Sequence, residues 1–157
     1  MPKSNFLYSV EREYPVSIST LWFAWTDSGA LQSWYCGTEF AVVPNSAYSD
    51  PVVDGWWTVG VDVSQFGFNA YFYGKYQEVI ENQKLTHTLY YTQDEEEFLA
   101  RDLSADHHLI EIDFSEREGK SWVRFSQYGT LPDGEAQQAQ AGMESYFDNL
   151  GKFLSTS

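Results

Sequence analysis

TLWFAWTDSGALQSWYCG, residues 20–37, places Trp22, Trp25 and Trp34 close together in a chain of 157 residues that has six tryptophans. Pro15 ends the segment before it, and Ser17 is of the residue type that caps a helix. The spacing predicts a helix over 18–26 with Ile18, Leu21, Trp22 and Trp25 on one face. Asp27 is read as the cap of a second short helix, 28–35, stopped by Gly37, with Leu31 and Trp34 three apart on it. Such short helices are marginal alone, whereas each buried aromatic ring removes about 150–250 Å² from water. The tryptophans are therefore expected to pack the fold, not to form an aromatic binding site.

Outward from this pair the pattern changes. Upstream, FLYSVEREY (6–14) alternates Tyr8, Val10 and Tyr14 against Ser9, Glu11 and Glu13, with Arg12 interrupting the apolar face, and predicts a half-buried strand. Downstream, VVPNSAYSDP reads as a loop. Strands follow in VVDGWWTVGVDV, where Gly55 marks a bend or close backbone approach, and in FNAYFYGKYQEVI, LTHTLYYT, HLIEIDFSE and SWVRFSQYG. QDEEE (93–97) reads as a solvated loop or helix start. After Pro132-Asp133-Gly134 the chain turns helical, with Met143, Tyr146, Phe147, Leu150 and Leu154 on one stripe. AQQAQAG, just before it, offers few side chains to a core. The order is strand, two short helices, five or six strands, then one long helix. Short turns between strands imply an antiparallel sheet with its helices segregated to one side, an α+β domain spanning 1–157.

That order, with residues at matching places, resembles the START-like, or Bet v 1-like, superfamily, and within it the family named after the activator of the heat-shock chaperone ATPase. The family's Val-Trp-x-Ala-Leu-Thr-Asp and Leu-x-x-Trp helices correspond to Leu21-Trp22-Phe23-Ala24-Trp25-Thr26-Asp27 and Leu31-Gln32-Ser33-Trp34. Its Gly-x-Tyr-x-Glu-Val strand corresponds to Gly74-Lys75-Tyr76-Gln77-Glu78-Val79, and its Gly-Gly-aromatic turn to Asp54-Gly55-Trp56. The closing Gly-Trp helix becomes Gly142-Met143, so Asp54 and Met143 depart from the pattern. The resemblance implies a helix-grip fold, a curved antiparallel sheet wrapped around a long C-terminal helix, with a cavity between them.

By strand alternation, the sheet face toward the helix carries Leu85, His87, Leu89 and Tyr91, then Ile110, Ile112 and Phe114, then Val123, Phe125 and Gln127. Met143 and Phe147 cover them from the helix. The expected ligand contacts are His87, Leu89, Tyr91, Ile112, Phe114, Phe125, Gln127, Met143 and Phe147, around a small apolar or aromatic molecule. His87 and Gln127 are the informative members, because a polar group on an apolar face needs a partner. They either bond each other, a tyrosine or water, or they orient the polar end of a ligand. Two alternatives stand beside binding. One is an enzyme of cyclase or hydrolase type, with His87 as acid or base and Tyr76 or Tyr91 as donor. The other is a chaperone-ATPase-activating module, against which counts the lack of the extra amino-terminal domain of the eukaryotic activators.

Other features point elsewhere or nowhere. Twenty-three acidic residues against nine basic ones give a net charge of −14, which repels phosphate backbones and anionic headgroups, so nucleic acid and membrane surfaces are not expected partners. The first residues show no secretory pattern, and no apolar run is long enough to cross a membrane. One cysteine, Cys36, fits a reducing cytoplasm, and no positive neighbour activates it. His107 with Glu111 and Asp113 could meet an ion on the solvent face, but the spacing matches no zinc pattern and no metal or cofactor is expected. Tyr71 and Tyr73 oppose Phe72 on their strand, making both faces aromatic. Either the tyrosines face water, or that outer face is covered, as by a second copy in a homodimer.

Overall fold

The computed structural model describes residues 5–156. Strand β1 (Phe6–Tyr14) leads into helices α1 (Ile18–Thr26) and α2 (Ser28–Trp34). Strands β2 (Ala41–Val42), β3 (Tyr48–Ser49), β4 (Trp56–Val63), β5 (Phe68–Ile80) and β6 (Lys84–Thr92) follow. Helix α3 (Glu95–Ala100), strands β7 (His108–Arg117) and β8 (Lys120–Tyr128), and helix α4 (Glu135–Ser155) complete the chain. The strands form one antiparallel sheet in the order β1-β8-β7-β6-β5-β4-β2, with β3 also paired to β4. The first strand thus lies beside the last, and the sheet curls around α4. This is the helix-grip arrangement that the sequence implied.

The caps act where the sequence places them. Ser17 Oγ accepts from the Thr20 amide at 3.2 Å and Asp27 Oδ2 from the Ala30 amide at 3.0 Å, each satisfying an orphan donor of a first turn. Trp25 and Trp34 are 2% and 1% exposed, with ring centres 4.8 Å apart, edge to face. Trp34 Nε1 donates to the Ala24 carbonyl at 2.8 Å, which ties α2 back onto α1. Trp22 is half-buried against Phe114 at 5.1 Å. The tryptophans form the wedge that seats α4.

Arg12, the interruption in the apolar face of β1, reaches across to α4. Its guanidinium donates to Asp148 at 2.6 Å and to Glu144 at 2.7 Å, and it lies 5.7 Å from the centre of the Phe147 ring. Its aliphatic stem can thus stay against apolar surface while its head is paired. Tyr14 Oη adds a bond to the Phe147 carbonyl at 2.8 Å. From the other side, Asn149 Nδ2 donates to the Cys36 carbonyl at 2.8 Å. Cys36 is buried, and that burial pushes its thiol pKa up, in keeping with an inert packing residue.

Three expectations are corrected. The stretch after α2 is not all loop: two-residue strands β2 and β3 pair with β4, too short for alternation to show. Glu111 does not face open solvent; it is 7% exposed, with Lys84 Nζ 3.2 Å away and Tyr128 Oη donating to it at 3.3 Å. And the outer tyrosine face is covered from within the chain. Phe98 of α3 stacks on Tyr71 at 4.8 Å, Tyr73 stacks on Tyr90 at 5.0 Å, and Tyr73 and Tyr90 donate to the carbonyls of Asp102 and Leu103 at 2.7 and 2.9 Å. No second copy is needed to cover Tyr71 and Tyr73.

Among the described residues no helix is long and apolar enough to cross a membrane.

Candidate functional site

The inner face of the sheet divides into a filled half and an open half. Trp25 fills the first: it contacts Phe114, Phe125 and Phe147 with ring centres at 6.5, 6.3 and 5.8 Å. Beside it, Tyr35 meets Trp57 at 5.3 Å, and Trp57 stacks on His87 at 4.4 Å. The open half is a cavity of about 600 Å³ between the far ends of the strands and the first half of α4. On the sheet side it is lined by Tyr8, Phe72, Leu89, Tyr91, Phe125 and Gln127. On the helix side Glu135, Ala139, Gly142, Met143 and Tyr146 line it, with Tyr35 at its floor. Asp106, His107, His108 and Leu131, from the loops around β7 and α4, complete the wall.

The cavity exists because of how α4 is composed. Its buried bulk is concentrated in the second half, at Phe147, Leu150 and Leu154. In the first half the wall includes the small Ala139 and Gly142, and a methyl built on Gly142 meets nothing within 4 Å. Met143 borders the same space where the family pattern carries tryptophan. Asp54, the other departure, is exposed in a turn with φ +69, away from the cavity.

Of the nine expected contacts, Leu89, Tyr91, Phe125, Gln127 and Met143 line the cavity. His87, Ile112, Phe114 and Phe147 do not; each is buried in the filled half. The three strand residues, His87, Ile112 and Phe114, point inward as alternation requires, but the helix pair and Trp57 occupy the space in front of them, and Phe147 of α4 packs against Trp25. His87 is 1% exposed and its Nδ1 lies 2.8 Å from the Thr88 carbonyl. Burial pushes its imidazole down to about 4, although the bond to Thr88 favours the charged form. The enzyme alternative needs His87 on the cavity wall with a pKa near the working pH, and it has neither. Tyr76, its suggested donor, is 1% exposed and bonded to Ser49 Oγ at 2.7 Å.

The neutral His87 has a consequence for stability. Its folded pKa lies below the ordinary value of 6.5, so the unfolded chain takes up a proton first as pH falls. The stabilisation from its neutral burial is complete above pH ~6.5 and is lost progressively toward pH ~4, up to about 3 kcal/mol. Urea unfolding at steps from pH 7 to 4 should show this slope, and His87→Phe should flatten it. The same slope in both proteins would remove His87 as its cause.

A chain of hydrogen bonds crosses the cavity wall. Tyr8 Oη donates to Gln127 Oε1 at 2.6 Å, which turns the amide nitrogen toward His108 Nδ1, also at 2.6 Å. His108 Nδ1 therefore accepts, and the proton sits on Nε2, 3.2 Å from the Thr130 carbonyl. Gln127 is thus partnered by a tyrosine, the first of the two readings open for it. The strand alternation that put Ile110 and Ile112 inward places His108 on the same face. His107 precedes β7 and stacks on Tyr90 at 4.6 Å, while Glu111 and Asp113 share Lys84 at 3.2 and 3.7 Å, so the three do not converge.

Solved structures with this architecture come from several bacteria. An AHSA1 protein of Silicibacter pomeroyi superposes with a TM-score of 0.77 at 18% identity, covering 95% of this chain and 97% of that one. A Staphylococcus epidermidis protein solved by NMR gives 0.77 at 20% identity, over 99% and 93% of the two chains. A Chromobacterium violaceum protein gives 0.76 at 16%, over 94% and 95%. At these identities the likeness is one of fold. None of the curated proteins matches the sequence. The profile of one family does match, over residues 15–155, from the proline ahead of α1 to the last residue of α4. The chain belongs to the family of Activator of Hsp90 ATPase homolog 1-like proteins.

Proposed function

We propose that the protein binds a small apolar or aromatic molecule in the cavity between the sheet and the first half of α4. The observation that carries this reading is a space of about 600 Å³ walled largely by aromatic and aliphatic side chains. Ligand sites generally span about 300–1,000 Å³, are mostly apolar, and carry a few placed polar groups. The polar groups here are phenols and the Gln127–His108 pair, with Asp106, His107 and Glu135 from the loop before β7 and the start of α4. The helix composition supports the same reading, since a chain selected only for packing gains from filling such a space.

Two measurements test it. Native mass spectrometry of the freshly purified protein should show an adduct of a few hundred daltons that is absent from the denatured mass. Titration with the neutral fluorophore N-phenyl-1-naphthylamine should show saturable binding to one site. Met143→Trp, which restores the family's bulkier residue at the cavity wall, should weaken that binding at least ~10-fold while unfolding stays cooperative. A probe that fails to bind, or that binds the variant equally well, would remove the cavity as the site.

A further inference from the structure

Two hydroxyls at the cavity wall have no use in the fold. Tyr35, which follows the last turn of α2, is 4% exposed, and its ring meets that of Tyr146 on α4 edge to face at 5.2 Å. Both residues border the cavity, and neither phenol oxygen has a hydrogen-bond partner among the described residues. Neither oxygen is among the fully enclosed polar atoms without a partner, so both open onto the cavity, whose contents must supply the partner that the protein does not. Of the other two phenols at the wall, Tyr8 donates to Gln127 and Tyr91 accepts from Gln93 Nε2 at 2.7 Å. The hydroxyls left with no partner of either kind among the described residues are those of Tyr35 and Tyr146.

Their chemical sense is that of a donor pair. Burial, together with the neighbouring phenols, raises the pKa of both groups well above the ordinary value, so each keeps its proton. An uncharged O–H in apolar surroundings seeks an acceptor, and a carbonyl oxygen has two lone pairs to offer. A carboxylate is also an acceptor, but among the described residues no lysine or arginine lines the cavity, whereas Asp106 and Glu135 do. The net charge of −14 adds to that repulsion. Desolvating an anion against such a wall is unfavourable.

We infer that the ligand is a neutral aromatic molecule bearing a carbonyl-type oxygen, and that the hydroxyls of Tyr35 and Tyr146 receive that oxygen. The inference rests on the cavity being the binding site. Tyr35 and Tyr146 then set which ligands are held, and the apolar wall sets how large they are.

Three probes separate these statements. Fluorene and fluorenone share one ring frame and differ by a carbonyl oxygen, while fluorene-9-carboxylate carries a negative charge. Calorimetric titration of the wild-type protein should show fluorenone bound at least ~10-fold more tightly than fluorene, with the carboxylate weakest. The double variant Tyr35→Phe/Tyr146→Phe should bind the two neutral probes equally, with fluorene within about twofold of its wild-type affinity. Tyr146→Phe alone, on the less buried ring, should lose part of the preference and serves if the double variant folds poorly, as judged by near-ultraviolet circular dichroism. Equal binding of fluorene and fluorenone by the wild-type protein would overturn the inference and leave the cavity reading standing. So would a preference that survives both substitutions. Failure of both neutral probes to bind would overturn the inference together with the cavity reading.

Discussion

Trp25→Ala should lower the unfolding free energy by about 3–5 kcal/mol, the range for deleting a large core aromatic. The ring is 2% exposed and lies within 6.5 Å of five others, those of Trp34, Tyr35, Phe114, Phe125 and Phe147. It is therefore the common contact of both short helices, the sheet and α4. Its removal leaves a void that main-chain-anchored neighbours cannot close. Trp25→Phe should cost less than about 2 kcal/mol, since it keeps a ring and deletes an indole N–H that has no partner among the described residues. Trp22→Ala, at a half-buried position with one ring contact, should cost about 1–2 kcal/mol. Urea denaturation of the three variants would rank them. Equal costs for Trp22→Ala and Trp25→Ala would refute the wedge as the element that holds α4.

Gly74→Ala should be nearly as damaging, at about 3 kcal/mol, for the opposite reason. A methyl built on Gly74 stands 1.9 Å from the main-chain oxygen of Thr88 on β6. No side-chain rotation can relieve a clash between two backbones. The central strands β5 and β6 must separate there, which also breaks the 3.0 Å bond from the Lys75 amide to Thr88 Oγ1. Gly142→Ala makes the same one-carbon change where the added atom meets open space in the middle of a helix. It should stabilise by up to about 1 kcal/mol through helix propensity alone. Thermal and urea unfolding of the pair should move in opposite directions. A Gly74→Ala protein within about 1 kcal/mol of the parent would mean that β5 and β6 do not approach as closely as described.

Most of the fold could be read from local signals, because its elements carry their own punctuation. Ser17 and Asp27 mark the helix starts, Asn82 and the Glu118-Gly119 pair take positive φ in the turns that reverse the strands, and Gly55 is indeed pressed against the Asp50 carbonyl. What escaped were elements too short to have a period. Strands β2 and β3 are two residues each; α3 starts within 93–97, where a loop or a helix start is expected, but its single buried anchor, Phe98, stands behind three glutamates. That anchor explains the two aromatic faces of β5, which alternation alone could not.

The site was half legible for a related reason. Alternation correctly assigned an inward direction to His87, Ile112 and Phe114, yet direction does not say what lies in front of a side chain. Trp57 in front of His87, and Trp25 in front of Phe114, are contacts between distant segments that no local pattern encodes. Leu89, Phe125 and Gln127 line the cavity because the helix pair stops short of them. Tyr146 was visible as a member of the apolar stripe of α4, and Tyr35 only as a neighbour of Cys36. Their meaning lies in a pair of unused hydroxyls, which exists only once α2 and α4 are brought together.

The composition of α4 also bears on how such a protein can diverge. Phe147, Leu150 and Leu154 hold the helix to the sheet, while Ala139, Gly142 and Met143 shape the space above it. The two duties fall on different turns of one helix. Residues at the upper turns can therefore change the shape of the cavity at little cost to folding, whereas substitutions at the lower turns cost stability whatever the upper turns carry. A chain built this way can keep its shape while the residues around its cavity change.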